Sequence, residues 1–183
     1  PAQVEAANYS VQQIVVPEDQ SALLDPAVRQ NEDEFLHTFY RVSSEPRQWE
    51  GVFTSPVPEA VITAPYGDAR SYNGGPVEIY HTGVDFAGSV GTPILAPAPG
   101  TVVFNDLLEL RGNTVILDHG QGVFSAYFHL SETFVAVGDQ IAAGQTIAAG
   151  GSTGLSTGPH LHWDLRIHGV PVNGLQWLET PFP

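Results

Sequence analysis

Seven histidines are spread over the 183 residues of this chain, and four stand in patterns suited to metal chemistry. His81-Thr82-Gly83-Val84-Asp85 joins an imidazole and a carboxylate four apart. His160-Leu161-His162 puts two imidazoles on one face of a strand, because strand side chains alternate with period two. Tyr127-Phe128-His129-Leu130-Ser131 sets a further imidazole at the end of an apolar strand. Zinc takes nitrogen and oxygen ligands at roughly 2.0–2.2 Å and keeps one position for water when it is catalytic. Ligands four apart on a straight strand lie ~13 Å apart, too far for one ion. His81 and Asp85 can therefore share a metal only if the chain bends between them, and Gly83 is the residue that permits a bend. A lone histidine on an apolar strand is more often structural, so no single pattern decides the matter.

Composition removes other chemistries. There is no Cys, which excludes disulfide scaffolds, thiolate zinc sites and thiol nucleophiles. All six basic residues are Arg, so a Schiff-base lysine, a P-loop lysine and a biotinyl or lipoyl attachment site are excluded. Twenty acidic residues give a net charge of −14, the opposite of the basic footprint that nucleic-acid binding requires. No apolar run reaches the ~18 residues of a membrane span, and no secretory signal opens the chain. A chain that starts at Pro1 without any Met is expected to be a processed or trimmed product. Forty-two per cent apolar residues suffice for a core, and 19 Gly with 15 Pro favour many turns and short strands.

These residues need elements to carry them. Residues 1–48 read as an extension or linker, with nine acidic and three basic residues as far as residue 50. Within it residues 9–16 look extended, and Asp25-Pro26 reads as a cap followed by Pro at the first helical position. That helix would cover 26–40, with Val28, Phe35, Leu36 and Phe39 apolar and Glu32, Asp33 and Glu34 solvated. From residue 49 to 183 the texture is that of a mainly β, compact antiparallel domain. Residues 101–104, 113–117 and 123–128 are rich in β-branched and aromatic side chains. Glycines at 138, 144 and 150 suggest tight hairpins, and 160–167 would be the last long strand.

The stretches His81-Thr-Gly-Val-Asp85, 112–120, 127–131, 137–139, 144–145 and 154–162 resemble, in order, the LytM/lysostaphin-type zinc metallopeptidases, the M23 family of cell-wall endopeptidases. The resemblance runs from about residue 53 to 178. It implies a β-sheet domain whose groove holds one Zn2+, bound by His81, Asp85 and His162, with His129 and His160 as the unligated catalytic pair. It implies hydrolysis of peptide cross-links in peptidoglycan, with D,D-endopeptidase work the expectation, and an extracytoplasmic location. Loops of the kind at 66–75 wall the substrate groove in this family, which makes Arg70, Tyr72 and Asn73 candidate peptide contacts; a plain surface loop is the alternative. Residues 152–159 would form another wall.

Other residues read more plainly. His119, in Asp118-His119-Gly120-Gln121-Gly122, is expected to be a structural hairpin-turn residue, His168 a turn residue and His37 a helix-face residue. Tyr127 and Trp163 are expected to pack the core. Asp164 shares a strand face with His162; it could orient that imidazole, or it could be a solvated carboxylate. The rival functions are a non-catalytic domain that regulates other wall hydrolases and an enzyme held latent by residues 1–50 lying across the groove. For the enzyme, activity should fall steeply below pH 6, because metal binding and proton acceptance both need neutral imidazoles.

Overall fold

The computed structural model describes residues 10–77 and 79–182. Strand β1 (Val11–Ile14) leads into a 3-10 turn (Glu18–Leu24) and helix α1 (Pro26–Phe39). Then come β2 (Ile62–Ala64), β3 (Ala69–Tyr72), β4 (Ile79–Tyr80), β5 (Val84–Ala87), β6 (Pro93–Leu95), β7 (Gly100–Leu108), β8 (Gly112–Asp118) and β9 (Val123–Leu130). The chain closes with β10 (Glu132–Thr133), β11 (Gln140–Ile141), β12 (Thr146–Ala149), β13 (His160–Ile167), β14 (Val170–Val172) and helix α2 (Leu175–Glu179). The main sheet has the order β11-β7-β8-β9-β13-β5-β2, with β14 on β13. Two three-stranded sheets, β10-β12-β6 and β1-β3-β4, flank it. Every pairing is antiparallel except that of β1 with β3. Tyr9, at the start of the expected extended segment, lies outside the described residues.

Strand β9 is buried along its whole length, which explains why its sequence is apolar at every position but Ser125 and His129 rather than alternating. Val123, Tyr127 and Leu130 join a cluster with Trp49, Phe53 and Trp163, while Phe124, Ala126 and Phe128 join one with Leu36 and Tyr40 beside α1. The change of parity between Phe128 and Leu130 marks an extra residue in β9. The register gives the same result, since Asn113 faces Leu130 but Val115 faces Tyr127. This β-bulge turns the chain at His129, whose φ of 63° is left-handed.

Helix α1 starts as its cap residues require, with Asp25 Oδ1 accepting from Ala27 N–H at 2.8 Å and Pro26 opening the helix. Leu36 and Tyr40 are buried, and Phe35 and Phe39 meet the Phe104 ring edge-on at 5.8 and 5.0 Å. The expectation of a solvated acidic side fails at Glu32. It is buried, accepts from Leu110 N–H at 2.6 Å and pairs with Arg111 at 2.9 Å. Asp33 pairs with the same guanidinium. A partner 79 residues away leaves no trace in helical periodicity. The expected hairpins around Gly138 and Gly144 also differ from the structure. Strand β11 pairs with β7, and β12 pairs with β6 and β10, so these glycines turn the chain between sheets. The stretch 66–75, read as a loop, contains β3, held by β1 on one side and β4 on the other.

Candidate active site

Antiparallel pairing of β5 with β13 sets Asp85 directly opposite His162, and β9 runs along the other side of β13 with Phe128 opposite His162. His81 stands just before the bend at Gly83 that separates β4 from β5. Gly83 has no left-handed φ; its requirement is space, because a Cβ there would lie about 2.5 Å from Asp164 Oδ1 and Trp163 O. The bend brings His81 Nε2 to 3.0 Å from Asp85 Oδ1 and 2.9 Å from His162 Nδ1. His162 Nδ1 is 2.9 Å from the same carboxylate oxygen.

The outer atoms of these rings determine what the inner atoms can do. His81 Nδ1 lies 2.9 Å from Pro65 O, a carbonyl that can only accept, so the proton sits on Nδ1. His162 Nε2 lies 2.7 Å from Asp164 Oδ1 and by the same reasoning donates to it. Both inner nitrogens then carry lone pairs, and they face each other and a carboxylate oxygen. With both rings neutral, three buried acceptors stand about 3 Å apart, an arrangement that a positive charge among them, a proton on His162 or a metal ion, would satisfy. His81, Asp85 and His162 could hold one metal ion, and a two-imidazole, one-carboxylate set suits zinc. Burial opposes the ionisation of Asp85, and positive charge at His162 and His81 more than offsets it, holding the carboxyl well below the usual carboxylate range.

Asp164 is wholly buried, which removes the solvated reading. Its Oδ2 accepts from Arg166 Nε and Nη2 at 3.1 and 2.8 Å, and Thr82 Oγ1 donates to Oδ1 at 3.1 Å. Burial opposes its ionisation, yet Arg166 and His162 bring its pKa far down. Asp164 thus orients the His162 ring as a fixed anion. Arg166 in turn lies over the Tyr40 ring at the end of α1, 5.0 Å from its centroid. Arg70, a candidate peptide contact, donates from Nη2 to Asp85 Oδ2 at 2.6 Å and lines the cavities beside the cluster. Asn73 has a left-handed φ of 51°, and its side-chain oxygen accepts from Val16 N–H at 2.8 Å. Tyr72 lines the cavities that converge on the cluster.

His129 and His160 lie side by side with ring centroids 4.8 Å apart. His129 Nδ1 is 2.8 Å from Thr153 O and His160 Nδ1 is 2.8 Å from Gly158 O, so each ring leaves Nε2 as the acceptor. Burial and the neighbouring His160 and His162 push the His129 pKa down to about 3, which keeps that ring neutral. His160 Nε2 stands 3.9 Å from Asp85 Oδ1. A cavity of about 490 Å³ opens here, lined by Asp85, His129 and His160, by 155–159 and by Gln12, Gln13 and Ile14 from β1. His119 is buried, with Nδ1 2.7 Å from Pro99 O and Nε2 2.7 Å from Ser125 Oγ, which lies 2.7 Å from the Tyr127 hydroxyl. As expected it is a structural residue of the β8–β9 turn, with its ring packed into the core. His37 is exposed, and His168 is in a turn. Sequence reasoning missed Arg166 and the carbonyls of Pro65, Thr153 and Gly158; a carbonyl has no sequence signal, because every residue carries one.

Residues 79–174 match Peptidase family M23. The chain belongs to that family. The M23 segment is 41% identical over 96 residues to the peptidoglycan DD-endopeptidase ShyA of Vibrio cholerae, a match covering 52% of this chain and 22% of that protein. A zinc-containing peptidase from Vibrio cholerae superposes with a TM-score of 0.66 and 29% identity, over 73% of this chain and 41% of that one. The catalytic domain of lysostaphin from Staphylococcus simulans superposes with a TM-score of 0.61 and 33% identity, over 68% and 96% of the two chains. The M23 match begins at residue 79, so β1, α1 and β3 lie outside it.

Proposed function

We propose that this chain is a zinc endopeptidase that hydrolyses the peptide cross-links of peptidoglycan, with D-alanyl cross-links as its substrate and the cell envelope or its exterior as its place of work. The observation that carries the reading is the triangle of two imidazole nitrogens and a carboxylate oxygen about 3 Å apart, beside two further imidazoles that line one cavity. His81, Asp85 and His162 would hold the zinc, which supplies a Lewis acid and a water acidified toward neutrality. His160 is assigned as the proton acceptor, since burial makes His129 a weak base with a pKa of about 3. His129 Nε2 accepts a hydrogen bond from the attacking water and orients it. Arg70 keeps Asp85 Oδ2 occupied and so presents Oδ1 inward. Tyr72 remains the substrate contact from β3, Arg70 and Asn73 being engaged with Asp85 and Val16. The chemistry is assigned to residues 49–183, with 1–48 as a packed extension. The named activity of the ShyA relative supports the D,D specificity.

The latent reading is less well supported, because β1 lines the cavity and leaves about 490 Å³ beside Asp85, His129 and His160. Mass spectrometry of cross-linked muropeptides tests the proposal, with chelator-treated protein and His129→Ala alongside. Cleavage that needs both metal and His129 is the expected result. No cleavage of any cross-link by the zinc-loaded protein would overturn it in favour of a regulatory domain.

A further inference from the structure

Five of the six arginines are accounted for. Arg70 pairs with Asp85, Arg111 with Glu32 and Asp33, and Arg166 with Asp164. Arg47 lies over the Trp49 ring, and Arg41 is exposed. Arg29 is different. It is half-buried on α1 and has no hydrogen-bond or ion-pair partner among the described residues. In a chain with twenty acidic residues, a half-buried guanidinium without an anion is an unbalanced charge, and partial burial without a partner costs free energy. Among the described residues, the carboxylates of α1 that line the same cleft are engaged, because Asp33 pairs with Arg111 and Glu34 accepts from the Gln30 amide at 2.9 Å.

Its position gives the vacancy a use. Arg29 lines a pocket with His81, His129 and His162, and it also lines a second cleft of about 530 Å³ between α1 and the β3–β4 hairpin. Arg70, Tyr72 and Ile79 line both spaces, so the cleft continues from the catalytic groove. Leu24, Pro26, Pro76 and Ile79 give its walls an apolar character, Asp33 and Glu34 stand on the α1 side facing Arg111 and Gln30, and Arg29 and Arg70 mark the junction with the groove. An aliphatic stem ending in a carboxylate matches that arrangement, since a guanidinium binds carboxylates through two parallel hydrogen bonds.

We propose that the cleft between α1 and the β3–β4 hairpin is a substrate subsite for a carboxylate-bearing arm of the cross-linked peptide, with Arg29 as its specificity-determining residue. This rests on the peptidoglycan reading given above. The subsite is built by the N-terminal extension, because residue 29 lies outside the 79–174 segment shared with the family. It would make substrate choice a property of this chain rather than of the common domain.

The test uses the zinc-loaded full chain and two cross-linked muropeptides that differ only in having free or amidated carboxylates. The quantity read is the ratio of kcat/KM for the free acid to that for the amide. One charge-assisted hydrogen-bonded pair predicts a ratio of about ten in the wild type, carried by KM. The ratio should fall to about one in Arg29→Gln and be partly restored in Arg29→Lys, which keeps the charge but loses the bidentate fork. A general folding defect lowers both substrates together and leaves the ratio intact. An unchanged ratio in Arg29→Gln, or no preference in the wild type, would overturn the subsite. Should the wild type cleave neither substrate, the enzymatic reading fails while the subsite is still measured. Calorimetry of the same muropeptides with the chelator-treated chain then decides: carboxylate-dependent binding lost in Arg29→Gln upholds it, and binding indifferent to amidation or to Arg29 refutes it.

Discussion

Each candidate ligand imidazole is held from behind, His81 by Pro65 O and His162 by the Asp164 carboxylate. Asp164→Asn keeps the shape but exchanges the anion for an amide, and should weaken zinc binding about 10–100-fold, read by competition with a chromophoric chelator. His160→Ala should lower kcat by about 10²–10⁴-fold with zinc still bound, the range for loss of a general base. A zinc affinity that falls in parallel would move His160 into the ligand set. At this scale the sequence was most informative where identity alone carries chemistry, as in His81, Asp85, His129, His160 and His162. It was least informative where geometry decides. Asp164 could be read two ways until its 0% exposure separated them, and Arg70 and Asn73 looked like free groove residues because Asp85 and Val16 are far off along the chain.

The same division holds for elements. Cap chemistry at Asp25-Pro26 and the β-branched runs made α1, β7, β8, β9 and β13 legible. The bulge at His129 was not, because a bulge follows from the register with β8 and not from local composition. A left-handed φ at a residue with a Cβ costs about 1–2 kcal/mol, strain that serves to direct His129 toward His160. The parallel pairing of β1 with β3 likewise had no signal beyond an extended look. It backs the strand that carries Arg70 and Tyr72. Deleting residues 1–16 should therefore lower kcat/KM, as β3 loses its neighbour and the groove one of its walls. An increase in rate would instead revive the latent reading. Glu32→Ala leaves the buried Arg111 guanidinium with Asp33 as its carboxylate partner and strands the Leu110 N–H, and should cost about 1–3 kcal/mol, measured by denaturant unfolding.

Across the whole molecule, two buried imidazoles outside the candidate ligand set are held neutral, His119 with its pKa pushed down to about 4 and His129 to about 3. Unfolding exposes them to water, where each takes up a proton near pH ~6.5. The unfolded chain thus binds more protons between these values, so stability is full above pH ~6.5 and is lost as pH falls toward 4. His119 alone accounts for about 3 kcal/mol over that window. His119→Gln, compared with wild type in one metal state, should show a flatter dependence of Tm on pH from 7 to 4, and parallel curves would assign the acid loss elsewhere. One further consequence follows from the way His129 and His160 are oriented. Thr153 and Gly158 act on them through main-chain oxygens, which every amino acid supplies. Alanine scanning of the site would return near-silence at Gly158, where a Cβ would meet nothing within 4 Å, although its oxygen decides which nitrogen of His160 is free. The proton placement of this unligated pair is written in the backbone, where ordinary mutation and drift cannot erase it, and only an amide-to-ester replacement by chemical synthesis would expose it.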